Sequence, residues 1–372
     1  MKPRLRFAFD APLLAITVLL VVGGVFFVFN ASSFMARERY DQSFHFMGQQ
    51  ILGALAGLAL VALLVSAKKA FFLRPAFVYG LLGLTGALLA LCLAMPEVAR
   101  TNRWIVLPGL RFQPSELAKI SLILFLAVYT ESRRDTINER RTLAVPLAVV
   151  TVMVVLVLLE PDFGTAVMLA GLAAVMLYLG GVKLRYLAAA GLLAGALFGF
   201  YLVQADYRVA RIQGFLSTDK DVLGSNYQVN QSRLALGAGG LVGVGIGQST
   251  QKLYYLPFAH TDFIFAIVGE EIGLVGTLVT LALYVLILWR GLRIALAAPD
   301  PALKMIAAGI TLAIVGQALM NISIVLGLGP AKGAPLPLLS YGRSSLVVTL
   351  AAIGLLLHIS QKRGDTGGTV RI

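Results

Sequence analysis

One cysteine, three histidines and two tryptophans in 372 residues leave little material for several kinds of chemistry. The lone Cys92, set in an apolar run between Leu91 and Leu93, forms no internal disulfide, and cysteine-ligated metal sites and iron–sulfur clusters are excluded by count. It reads as a buried, inert thiol. Charge is also scarce: 13% of residues are Asp, Glu, Lys or Arg, about half of what a soluble domain carries. Apolar residues make up 58%. A water-soluble enzyme, a disordered chain and a disulfide-stapled secreted domain are therefore excluded, and a polytopic membrane protein remains.

Acids are the scarcer charge, 18 against 31 Lys and Arg, for a net charge of +13. On a soluble protein that balance suggests nucleic acid; in a membrane protein it reflects anchoring loops, so position decides. A spanning helix needs about 20 mostly apolar residues. On that rule ten spans are expected, near residues 11–30, 46–66, 76–95, 115–131, 143–160, 165–182, 186–204, 264–289, 305–326 and 344–361. One alternating set of segments holds most of the basic residues: Lys2, Arg4 and Arg6; Lys68, Lys69 and Arg74; Arg133, Arg134, Arg140 and Arg141; Lys183 and Arg185; Arg290, Arg293 and Lys304; Lys362, Arg363 and Arg371. By the positive-inside rule these lie in the cytoplasm, as do both termini. The nucleic-acid reading falls with that assignment.

The fold class expected is thus an all-α polytopic membrane protein, one domain over 1–372, with its longest outer connection between spans 7 and 8 at 205–263. The basic N-terminus before an apolar run resembles a signal peptide, but the run is longer than an h-region and nine spans follow, so an uncleaved first helix is expected. Small residues four apart (Gly53/Gly57, Gly191/Gly195/Gly199, Gly269/Gly273) read as helix-packing seams. The glycine-dense stretch from Gly237 to Gly247 fits neither nucleotide-binding pattern and reads as a flexible or membrane-hugging loop.

Ionisable residues at membrane depth are costly and therefore candidates for function. Arg103 and Arg111 precede Pro114-Ser-Glu116, a helix start. They have too few acidic neighbours to be paired and suit an anionic ligand. Glu116 and Lys119, three apart, share a helix face as a structural ion pair or a site. Glu160 and Asp162 sit between two spans with no room for a loop, as partners for a nearby Arg or as site residues. Asp262 stands where a polar segment gives way to span 8: it is a helix N-cap, or a general base or metal ligand at the membrane surface. Glu270 and Glu271 lie deeper and point apart, one of them toward a basic partner. Lys332, in the proline-stiffened re-entrant segment 329–345, is either a phosphate contact or an interfacial anchor. Together these clusters describe an outward site, rich in Arg and Lys, for an anionic amphipathic substrate such as a lipid-linked phosphate.

Arg103-Trp, Phe112-Gln-Pro-Ser-Glu116, Pro161-Asp-Phe-Gly-Thr165, the run Tyr254–Ala266, Gly269-Glu-Glu-Ile-Gly-Leu-Val-Gly276 and Pro335-Leu-Pro-Leu-Leu-Ser-Tyr-Gly342 closely resemble the SEDS family (shape, elongation, division and sporulation; the FtsW/RodA/SpoVE group). The likeness runs over nearly the whole chain. Gln248–Tyr255 and Ala331-Lys-Gly resemble the FtsW branch more than the RodA branch.

The resemblance implies a ten-span peptidoglycan glycosyltransferase of the bacterial cytoplasmic (inner) membrane. It would polymerise lipid II outside by inverting transfer, with undecaprenyl pyrophosphate leaving, in division or cell-shape maintenance. By that likeness Asp262 is the catalytic acidic residue, its carboxylate taking the proton of the attacking hydroxyl. Arg103, Arg111, Lys119, Arg211, His260, Lys332 and Ser340 would contact substrate, and Glu116, Asp162 and Glu270 would support them. A divalent cation, Mg²⁺ or Mn²⁺, would be shared between the substrate pyrophosphate and Asp262, with no organic cofactor. The implied partners are a class B penicillin-binding transpeptidase and other divisome or elongasome membrane proteins, and no nucleic acid. Three positions depart from the family pattern: Phe258 for a usual Glu, Glu160 for a usual Gln, and Arg343 for a usual Gly. A lipid II flippase and a non-catalytic division scaffold are the alternative readings; no internal repeat of the transporter kind is visible in the sequence.

Overall fold

A computed structural model of the protein describes residues 9–67, 69–95, 102–107, 110–203, 227–329 and 333–361. The chain is almost wholly helical. The helices are α1 (Ala11–Tyr40), α2 (His45–Ser66), the short α3 (Lys69–Phe72), α4 (Pro75–Ala94), α5 (Pro114–Ser132), α6 (Arg140–Leu159), α7 (Phe163–Leu179), α8 (Leu184–Val203), α9 (Tyr227–Gly239), α10 (Ile264–Ala297), α11 (Pro301–Val325) and α12 (Arg343–Ser360). The starts follow from the sequence. Asp10, Asp162 and Asp300 cap α1, α7 and α11 with their side chains, and Pro stands in the first two positions of α1, α4, α5 and α11.

Seven of these helices (α1, α2, α4, α6, α10, α11 and α12) are long and apolar enough to cross a membrane. The other three expected spans are helical as well. Helix α5 carries Glu116, Lys119 and Glu131, α7 is 17 residues long, and α8 is an apolar helix of 20 residues. Helix α1 runs to Tyr40, ten residues past the expected end. At 1.5 Å per residue its 30 residues span about 45 Å, against a hydrocarbon core of about 30 Å. The extra turns are held by the π turn Gln251–Tyr255: Tyr254 donates to Glu38, and its ring meets Phe34 at 5.7 Å.

Helices α11 and α12 form the centre and are mostly buried, while α2, α4 and α6 turn large apolar side chains outward. Such a surface would aggregate in water but suits lipid. Helix α12 packs along α2, with α11 against α10 and α5. Gly57 permits the first contact: a Cβ there would come within 2.3 Å of the Leu350 side chain. Gly191, Gly195 and Gly199 have nothing within 4 Å of a Cβ, so their repeat is not a packing seam among the described residues.

Two connections carry structure of their own. Part of the connection 96–114 is a two-stranded antiparallel hairpin, β1 (Ile105–Leu107) with β2 (Leu110–Phe112), pairing Val106 with Arg111. The glycine-dense stretch is not a free loop. It packs into a break in α10, where Gly273 has φ 72°, ψ −158°. The N–H groups of Val244 and Gly245 bond the carbonyls of Glu270 and Glu271 at 2.9 and 3.1 Å, and Leu274 N–H returns to Gly240 O at 2.9 Å. Backbone groups freed by the break are thereby satisfied, as irregular main chain buried among helices requires. A Cβ on Gly243 would lie 2.1 Å from Glu271 O, which is why the docking segment is glycine. Gly273 thus serves this docking, while Gly269 lies in the contact between α9 and α10, where a Cβ would come within 2.3 Å of the Leu236 side chain.

Candidate active site

Asp262 ends a tight turn immediately before α10. The carbonyl of Phe258 accepts from Thr261 N at 3.0 Å, Thr261 Oγ1 at 3.1 Å and Phe263 N at 3.4 Å. Phe258 itself is left-handed, φ 59°, with its ring exposed. It brings no carboxylate to Asp262. The cap position of α10 is Phe263, which makes no side-chain cap bond, so the capping role open to Asp262 in the sequence is not the one it takes. Its carboxylate is half-buried and lies against Gly333, where a Cβ would stand 3.0 Å from Oδ2. Burial pushes Asp262 up to about 7; Arg103 draws it down and Asp162 adds to the rise.

The wall facing Asp262 is the irregular segment 333–342. Its carbonyls are satisfied by four side chains from three helices: Asn321 to Ala334 O at 2.6 Å, Gln317 to Pro335 O at 2.9 Å, Tyr284 to Pro337 O, and Gln50 to Ser340 O at 3.0 Å. Ser340 Oγ donates to Thr261 O and accepts from Leu336 N at 2.8 Å. Tyr341 N donates to His260 O at 2.9 Å. His260 is buried with its ring against Phe46 and Tyr341, at 4.8 and 5.6 Å, and burial pushes it down to about 4, leaving it neutral. Ser340 and His260, expected as substrate contacts, are thus placed as internal ties between the Asp262 turn and its wall.

Beside this turn, Arg103 Nη1 lies 3.7 Å from Asp162 Oδ2. Gln113 reaches the same oxygen at 3.3 Å, and Asp162 also caps α7 through Thr165 N at 3.1 Å. Asp162 therefore supports Arg103, and both act on Asp262. Glu160, two residues away, is fully buried, and neither of its oxygens has a hydrogen-bond partner among the described residues. Burial first, then Asp162, push it up to about 8 against the pull of Arg103.

Arg111 is exposed on the hairpin. Arg111 and Arg343 both act on Tyr341, lowering a hydroxyl that burial raises. Lys119 is buried. It donates to both Glu116 oxygens at 3.0 Å and to Gln317, and Glu116 accepts from Ser345 Oγ at 2.9 Å. This pair joins α5 to α11 and α12. Glu270 accepts from Ser249 and from Thr250 N at 3.0 Å, and Glu271 pairs with Lys252 at 3.0 Å and accepts from Asn30. The basic partner foreseen for one glutamate is Lys252, and it takes Glu271. Arg211 and Lys332 lie outside the described residues.

The amides Asn30, Gln50, Gln317 and Asn321 are not singled out by the sequence reading; the last three fasten the wall of the site, and Asn30 binds the Glu271–Lys252 pair. Their signal was available: each is a polar residue inside a largely apolar helix, where partners must come from the protein.

The FtsW/RodA/SpoVE family of cell cycle proteins matches residues 11–365. The chain belongs to that family. Among family members it is 38% identical over 363 residues to the probable peptidoglycan glycosyltransferase FtsW of Trichlorobacter lovleyi, covering 96% of this chain and 95% of that one. To the stage V sporulation protein E of Bacillus subtilis it is 38% identical over 357 residues, covering 95% and 97%. Its fold is similar to the rod shape determining protein RodA of Thermus thermophilus, with a TM-score of 0.71 and 30% identity over 96% of this chain and 99% of that one. It is also similar to a chain of a peptidoglycan synthase complex studied for the coordination of polymerization and crosslinking, with a TM-score of 0.78 and 33% identity over 95% and 97%.

Proposed function

We propose that this protein is a peptidoglycan glycosyltransferase of the bacterial cytoplasmic membrane, with ten spans, both termini inside and its site facing outward, polymerising lipid II. The likeness to peptidoglycan glycosyltransferases supports the activity, and the basic short connections support the orientation. The observation that carries the site is Asp262: a carboxylate freed from capping, pushed up to about 7, with Arg103 close enough to act on it.

That arrangement suits inverting glycosyl transfer. A sugar hydroxyl of the acceptor attacks the anomeric carbon of the donor, the bond from that carbon to the pyrophosphate oxygen breaks, and undecaprenyl pyrophosphate departs. The hydroxyl proton passes to Asp262, which works best with a pKa near the operating pH and contributes about 10²–10⁴-fold. Charge gathering on the leaving group is met by Arg103 and Arg111, with Lys332 and Arg211 as further cations in the sequence. Among the described residues no three His, Cys, Asp or Glu side chains form a metal cage. The residues therefore fit Mg²⁺ or Mn²⁺ only with Asp262 as a protein ligand and substrate pyrophosphate as the rest; such a cation would neutralise leaving-group charge. Likeness to a chain of a peptidoglycan synthase complex supports pairing with a class B transpeptidase.

The test is polymerisation of purified lipid II by the protein with its transpeptidase. Asp262→Asn should lower the rate by at least about 100-fold while lipid II binding stays near wild type. Full polymerisation by Asp262→Asn would overturn the assignment of Asp262, and no polymerisation by the wild-type protein would return the flippase and scaffold readings.

A further inference from the structure

Asn321 lies on α11, one turn beyond Gln317, and is 1% exposed. Its Nδ2 donates to the main-chain oxygen of Asp262 at 2.7 Å and to that of Ala334 at 2.6 Å. Both amide hydrogens are thereby engaged. The surroundings also fix which end of the amide is nitrogen, because turned over its oxygen would face two carbonyl oxygens. Oδ1 has no hydrogen-bond partner among the described residues. A buried acceptor left unpaired is costly, and here it accompanies a nitrogen doing two jobs at once.

The two carbonyls belong to segments distant in sequence: the turn that carries Asp262 and the wall it lies against. The wall is close, since a Cβ on Gly333 would stand 3.0 Å from Asp262 Oδ2. Ser340 and Tyr341 fasten the same two segments through Thr261 and His260. Among the described residues, Asn321 is the side chain that ties the main chain of Asp262 itself to that wall.

We propose that Asn321 is the positioning residue for Asp262. It holds the Asp262 and Ala334 main chains at one separation and so sets where the carboxylate meets the attacking hydroxyl. The inference rests on reading Asp262 as the general base. Asn321 acts through that residue and does not itself touch substrate. A polar residue one turn from the end of an apolar helix thereby acquires a role that its helix alone would not give it.

The experiment uses the full chain with its transpeptidase partner and lipid II as the probe. It compares Asn321→Ala and Asn321→Ser, with Asp262→Asn as reference. Misplacing a catalytic group by about 1 Å costs about 100-fold. The expected result is a fall in kcat of about that size for Asn321→Ala, measured per folded molecule. Asn321→Ser, which keeps one donor, should fall between Ala and wild type, and KM for lipid II should stay within about threefold of wild type in both. A merely structural side chain would lower the folded fraction without changing kcat per folded molecule. Near-wild-type kcat in either variant, with Asp262→Asn inactive, overturns the positioning role and leaves the base in place. An active Asp262→Asn overturns the reading beneath it. Should Asn321→Ala fail to fold, Asn321→Ser decides by the same kcat and KM criterion.

Discussion

Replacing Glu160 by glutamine should stabilise the protein, and more so as the pH rises. Glu160 is fully buried, its oxygens have no hydrogen-bond partner among the described residues, and burial holds its proton on up to about pH 8. In the unfolded chain the same group ionises near the ordinary glutamate value of 4.5. The raised folded value fixes the sign. Below 4.5 both states are protonated and the group costs nothing through ionisation. Above it the unfolded state gains stability by about 1.4 kcal/mol per pH unit until the folded group also ionises near pH 8.

At pH 7 the penalty has an upper bound of about 3 kcal/mol. Glutamine removes the ionisation but leaves a buried amide, itself costing about 1–3 kcal/mol if unpaired, so the net gain at neutral pH is of the order of 1 kcal/mol. The cleaner readout is the slope, in which the amide cost cancels. Between pH 5 and pH 8 the stability difference between Glu160→Gln and wild type should widen by up to about 3 kcal/mol. Thermal unfolding of both proteins in detergent at several pH values measures it. A difference that does not change with pH, or a variant less stable than wild type at pH 8, would mean that Glu160 is ionised and paired in the fold, and would refute the reasoning.

Other substitutions probe the rest of the frame. Gly273→Ala should lower the unfolding midpoint sharply, because the site has φ 72° and a Cβ would lie 2.4 Å from Gly243 N; Gly316→Ala in α11, with nothing within 4 Å, should be neutral or mildly stabilising. Lys119→Met should cost about 3–5 kcal/mol by leaving Glu116 buried without its cation. Adding Glu116→Gln to Lys119→Met should recover most of that loss in the same unfolding assay, and no recovery would show that the pair is not the source of the cost.

Much of the fold was legible because membrane helices announce themselves locally. Each expected apolar segment lies on a helix, and the proline and aspartate helix starts at Asp10-Ala-Pro12, Pro114 and Asp300-Pro301 are visible in the chain. The site was legible as a set of charged residues, and its catalytic candidate stood out by position and by family likeness. Residue type alone does not show which partners a residue takes. Ser340 Oγ and the His260 carbonyl tie two segments together, and the His260 ring packs against Phe46. The glycine stretch reads as loose in one dimension but is packed, because the break at Gly273 that receives it lies some thirty residues away along the chain.

The sequence by itself determined that this is a membrane protein, which connections carry the positive charge, and which few ionisable residues stand beside the apolar segments. Those properties follow from composition and order along the chain, since the free energy of placing a segment in lipid is nearly a sum over its residues. Only the tertiary structure decided what each polar residue does. Asp262 is left uncapped with Arg103 near it, Glu160 is sealed in without a partner among the described residues, and Asn321 bridges two main chains. Hydrogen bonds and buried charges depend on the distance and direction of particular partners, which come from segments far apart in the chain, and no local pattern encodes those.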